Sequence, residues 1–97
     1  MELAEKVELI CKMARLQQKL PAGAFLHFEN KREGVSAYLF ATHPEAGSQL
    51  VASGYSEMDN ATLGAFLDKV EGYCNGSFAI VAKQQGYSFA FTLEPVA

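Results

Sequence analysis

The residues that could carry chemistry are few and far apart. The histidines are His27 and His43 and the cysteines Cys11 and Cys74. A shared metal ion or proton relay would need such groups within a few ångströms of each other. In a hairpin turning near residue 32, His27 pairs near Ala37 or Tyr38. His43 then lies five or six positions further on, roughly 17–20 Å away at ~3.3 Å per residue. The two cysteines have no CxxC spacing, and neither sits in an electropositive turn of the kind that makes a thiolate nucleophile. They read as reduced thiols in or near the core, Cys11 on the apolar side of the first helix. Glu29 and Glu33 flank Lys31 and Arg32 at a hairpin tip, where solvent keeps carboxylates ordinary, and Asp68 and Glu71 fall on the polar side of a helix. No glycine pattern of the phosphate-cradling kinds is present. The expectation is no catalytic residue, no cofactor and no metal, and therefore a protein that works through its surfaces.

Those surfaces depend on the elements that carry them. Residues 2–20 have helical periodicity with two apolar stripes. Leu3, Val7, Ile10 and Ala14 make one, and Leu9, Met13, Leu16 and Leu20 make the other, roughly 120° around the axis at ~100° per residue. Charged residues fill the rest, acidic first and basic last, which suits the helix dipole, and Pro21 stops the helix. One stripe is enough for a core contact, so the second is a candidate for meeting a partner or a second copy. The stripe through Leu9, Met13 and Leu16 is taken as that candidate.

Residues 24–29 and 35–43 read as strands around the polar tip Asn30-Lys31-Arg32-Glu33-Gly34. The second strand is apolar on both faces, as a central strand would be. His43 to Gly47 is a turn by composition, and 48–55 is a third strand. Residues 57–74 form a second helix, with Ser56 or Asp59 as its cap and with Leu63, Phe66, Leu67, Val70, Tyr73 and Cys74 in one core-facing stripe. Asn75-Gly76 ends it. Residues 77–83 and 87–94 make a last hairpin. With Lys83 opposite Gly86, it gathers Phe78, Ile80, Phe89 and Phe91 on one face as an aromatic core; a bulge at Gly86 would mix the two faces. The order α-β-β-β-α-β-β predicts a single α+β domain over 1–97, an antiparallel sheet with both helices packed on one face. Its halves, about 2–43 and 57–94, each read as a helix followed by a hairpin opening Gly-x-Phe.

Composition narrows the function classes. With 97 residues, 49% hydrophobic and 20% charged, the chain is an ordinary globular domain. No apolar run approaches the ~20 residues of a membrane span, and the first residues lack the pattern of a signal peptide, so a cytoplasmic protein is expected. The net charge of −3 is uneven: residues 1–40 hold six basic and five acidic side chains, residues 41–97 two basic and six acidic. Nonspecific nucleic-acid binding, which draws on clustered Lys and Arg, is disfavoured.

The partner-binding candidates are therefore Leu9, Met13 and Leu16 on the first helix, Lys31 and Arg32 at the tip, and Tyr38, Phe40 and Tyr55 on whichever sheet face the helices leave open, with Tyr87 as a further aromatic. The expected partner is a protein, including a multisubunit complex, with a homodimer as the open alternative. Small, acidic, cofactor-free α+β chains of this size resemble phage and mobile-element inhibitors, anti-CRISPR proteins among them, which implies an antagonist that covers a functional surface of a larger machine. The element order also looks like that of class I type III secretion chaperones, which implies a dimer holding an effector segment. This sequence ends just after its last strand, without the closing helix usual there. A small-molecule binder or enzyme around His27 or a cysteine is the third alternative.

Overall fold

A computed structural model describes residues 2–32, 34–42, 50–55 and 60–96, with the backbone alone described at 50–55 and 60. Helix α1 (Leu3–Lys19) begins without a side-chain cap at Glu2 and ends where Leu20 turns extended, as the residue before Pro21 must. Then follow β1 (Phe25–Asn30), β2 (Val35–Thr42), β3 (Leu50–Tyr55), α2 (Asn60–Asn75), β4 (Phe78–Gln85) and β5 (Ser88–Pro95). The order is the expected α-β-β-β-α-β-β, and every pairing is antiparallel. The expected caps of α2, Ser56 and Asp59, and the turn from His43 to Gly47 lie outside the described residues.

The strands form two sheets, where a single hydrogen-bonded one was expected. One runs β1-β2-β3 and the other is the ribbon β4-β5. β3 and β5 come close to each other without a ladder between them. Helix α2 packs against β2 and β3 of one sheet and β4 and β5 of the other.

The core is one cluster contributed by both helices and both sheets. Leu9, Met13 and Leu16 of α1 meet Leu63, Leu67 and Val70 of α2 over Leu26, Val35, Ala37 and Leu39, with Leu93 from β5. The roles of the two α1 stripes are thus the reverse of the expectation. Leu9, Met13 and Leu16 are buried, while Leu3 is 76% and Val7 51% exposed, Ala14 is exposed and Ile10 half-buried. Cys11, expected near the core, is exposed as well. Around this core, Lys12 bridges to Asp68 at 2.7 Å, tying α1 to α2. The Gln17 Nε2 donates to the Leu26 carbonyl at 2.7 Å, satisfying an acceptor on a terminal strand of its sheet.

Two glycines shape the second half. Gly76 has φ 88° and follows α2 directly, and the Ser77 amide reaches back to the Gly72 carbonyl at 2.9 Å, the six-to-one bond of a Schellman cap. That cap drops Phe78 against the last turn of α2, where a Cβ on Gly72 would lie 2.4 Å from the Phe78 ring. At the far end of the ribbon, Gln85 pairs with Ser88, leaving the two-residue turn Gly86-Tyr87. Gly86 has φ 62° and Tyr87 does not have positive φ, which fits a type II′ turn with glycine first. The expected pairing of Lys83 with Gly86 is therefore replaced by one two residues further along each strand. Phe78, Ile80, Phe89 and Phe91 still share a face. Phe78 and Ile80 pack on the core, whereas Phe89 is 42% exposed, so the aromatic core fills only the end of the ribbon nearest α2.

Candidate functional site: an aromatic sheet face

Strand alternation sorts β1 and β2 cleanly. Leu26 and Phe28, with Val35, Ala37, Leu39 and Ala41, point toward the helices. The intervening residues must point the other way. In register they form the rungs Phe25–Phe40, His27–Tyr38 and Glu29–Ser36. Phe25 and Phe40 stack with ring centroids 5.0 Å apart and planes 17° from parallel, and Phe25 remains 47% exposed. Tyr38 and Phe40 are half-buried. His27 Nε2 lies 3.2 Å from Glu29 Oε1, both side chains about half exposed, a hydrogen bond that becomes an ion pair when the imidazole is protonated. Ser36 is fully buried, its hydroxyl without a partner among the described residues.

At one end of this face lies the hairpin tip. The Lys31 amide donates to the Gly34 carbonyl at 2.7 Å. The Lys6 ammonium of α1 donates to the carbonyls of Lys31 and Arg32, pinning the tip backbone to the helix. Arg32 is exposed and Lys31 half-buried. Of the sequence candidates, then, Tyr38 and Phe40 lie on the sheet face away from the helices, and Lys31 and Arg32 lie at the hairpin tip, whose backbone meets Lys6 of α1. Leu9, Met13 and Leu16 lie in the core and have no part in it. The backbone of Tyr55 pairs with Ala37, and its side chain is outside the described residues. Sequence reasoning missed Phe25: with His27 pairing near Ala37 or Tyr38, Phe25 would fall opposite Leu39 or Phe40, and the assembled register selects Phe40. A second exposed aromatic group sits on the ribbon, where Tyr87 at the turn is fully exposed and the rings of Phe89 and Phe91 lie 6.4 Å apart.

None of this geometry resembles an assembled nucleophile. No cluster of three or more His, Cys, Asp or Glu that could hold a metal lies among the described residues. Cys74 is half-buried, and burial pushes its thiol up; Lys19 opposes that shift and Glu71 adds to it. Burial also raises the Tyr73 hydroxyl, with Cys74 beside it contributing. In the native protein iodoacetamide should therefore alkylate Cys11 well before Cys74, because Cys11 is exposed whereas the Cys74 thiol is half-buried and pushed up. Time-resolved peptide mass spectrometry checks the order, and equal rates would mean that the last turn of α2 is open.

No protein-family model matches this chain, and neither a curated protein nor a solved structure matches it significantly. No helix among the described residues is long and apolar enough to cross a membrane.

Proposed function

We propose that this domain acts by binding a protein, with no catalysis of its own, as a small inhibitor or regulator that covers a working surface of a larger protein or nucleoprotein machine, in the manner of a phage or mobile-element antagonist. The observation that carries this reading is the Phe25–Phe40 stack on the sheet face turned away from both helices, with Phe25 nearly half exposed. An exposed, preordered aromatic pair bordered by polar and charged groups, here His27, Glu29 and Arg32, has the composition of a binding hot spot with its rim. Tyr38 and Phe40 extend the apolar area, and Lys31 and Arg32 supply positive charge at its edge.

The test is affinity capture from nuclease-treated host lysate with the wild-type chain and with Phe25→Glu, followed by titration of the captured protein. One stoichiometric partner is expected, and Phe25→Glu should weaken its binding at least ~10-fold, the scale of a hot-spot residue, while circular dichroism stays unchanged. A partner bound equally well by both chains, or none at all, would sink the assignment of this face. The element order also favours a second reading, a dimeric secretion-type chaperone. It predicts that the captured species is an extended effector segment and not a folded machine.

A further inference from the structure

We infer that Asn75 is a self-modification site, at which the folded chain promotes its own deamidation through an intramolecular imide. The dipeptide Asn75-Gly76 supplies the reacting groups, and the end of α2 holds them. Asn75, Gly76 and Ser77 are all exposed to water. Asn75 Oδ1 accepts two hydrogen bonds, one from the Ser77 amide at 3.0 Å and one from the Ser77 hydroxyl at 2.7 Å. The first closes an Asx turn, which folds the side chain back over the peptide that follows it. The carbon to be attacked is thereby kept beside the amide that would attack it. Among the described residues no backbone carbonyl accepts from the Gly76 N–H. No atom lies within 4 Å of where a Gly76 Cβ would be, so the attacking nitrogen is unshielded and open to base.

The step balances with hydroxide and water alone. Hydroxide removes the Gly76 amide proton, and the nitrogen adds to Asn75 Cγ. The displaced π electron pair settles on Oδ1, which becomes an oxyanion. Charge therefore develops on the one atom that already carries two donors, and a hydrogen bond strengthens when its acceptor becomes charged. Donors fixed in advance need no reorganisation as the charge appears. Ser77 is fixed in this way. Its carbonyl accepts from the Val96 amide at 3.0 Å, and its own amide also reaches the Gly72 carbonyl at 2.9 Å. Collapse of the oxyanion re-forms the carbonyl and breaks the Cγ–Nδ2 bond. The nitrogen leaves as ammonia, taking a proton from water and regenerating hydroxide. Water then opens the cyclic imide, at Cγ to give aspartate or at the backbone carbonyl to give isoaspartate. Either product puts a carboxylate at the C-terminal, negative pole of α2. Isoaspartate also lengthens the backbone just before Gly76, inside the cap that delivers Phe78. This site is independent of the aromatic sheet face.

The test is incubation at mildly alkaline pH of the native chain, and of the same chain in urea, with peptide mass spectrometry and isoaspartate detection over time. Modification should accumulate at Asn75 before Asn30 or Asn60, and faster in the folded chain than in urea. Ser77→Ala keeps the amide donor and removes the hydroxyl. It should slow the folded chain about 5- to 10-fold, the gain of one hydrogen bond when its acceptor becomes charged. Ser77→Thr, which restores a hydroxyl, should restore the rate, with circular dichroism confirming that each variant is folded. In urea all three chains should react alike, which separates the folded arrangement from the local sequence. A folded chain slower than the unfolded one, a rate indifferent to Ser77→Ala, or equal modification at Asn30 would each overturn the proposal.

Discussion

Met13→Ala should cost about 2–5 kcal/mol of folding stability, whereas Val7→Ala, six residues earlier on the same helix, should change it by less than ~0.5 kcal/mol. Met13 is fully buried where α1, α2 and the first sheet meet. Truncation there removes the transfer free energy of the lost atoms and leaves a cavity that neighbours on three elements cannot all close. Val7 faces outward, and its removal leaves no void. For a domain of this size the Met13 loss is a large part of a total near 5–15 kcal/mol. Urea denaturation of both variants at micromolar protein is the measurement. Equal effects at the two positions would mean that α1 is rotated about its axis from the orientation described.

Gly72→Ala should destabilise the fold by about 1–3 kcal/mol, although alanine in a helix is ordinarily better than glycine by about 0.8–1.0 kcal/mol. The added methyl would sit 2.4 Å from Phe78 Cδ2 and 3.1 Å from Cγ, so the ring, or the cap that delivers it, has to move. The sign should reverse once the ring is gone. In a Phe78→Ala background, itself destabilised by the lost packing, Gly72→Ala should become neutral or stabilising. A double-mutant cycle by thermal denaturation reads this coupling directly. Additive effects would show that the ring and the helix turn are independent.

The close approach at Gly72 also illustrates what could be read from residue types alone. Glycine inside the pattern of α2 lowers the expected regularity of the helix, and nothing in the spacing says that an aromatic side chain two residues beyond the cap fills the space. The element order and the core stripe of α2 were legible because apolar residues there recur on one face only. Helix α1 was harder. Its two stripes have the same spacing, and periodicity cannot rank them. The tertiary packing chose the stripe Leu9, Met13, Leu16 and Leu20 and left Leu3, Val7 and Ala14 of the other outside, with Ile10 packed at the edge of the core.

The ribbon shows a different limit. Moving the turn from Gln84-Gln85 to Gly86-Tyr87 shifts each strand by two residues, and a shift of two keeps every side chain on its own face. The hydrophobic pattern is therefore blind to the choice, which the backbone of Gly86 settles. The aromatic sheet face was partly visible, since Tyr38 and Phe40 alternate with the core residues of β2. Which side the helices would cover, and that Phe25 would lie across from Phe40 with its ring half open, follows only from the assembled register.

The break between β3 and β5 has a consequence for how the molecule opens. Among the described residues no backbone ladder joins the three-stranded sheet to the ribbon, and α2 and the shared core bridge the two. The ribbon with α2 has the makings of a separate cooperative unit, able to swing or unzip while the hydrogen bonds of the first sheet stay closed. The aromatic face on β1 and β2 belongs to the half that would persist. A partner seated there would hold its grip through excursions of the rest of the chain.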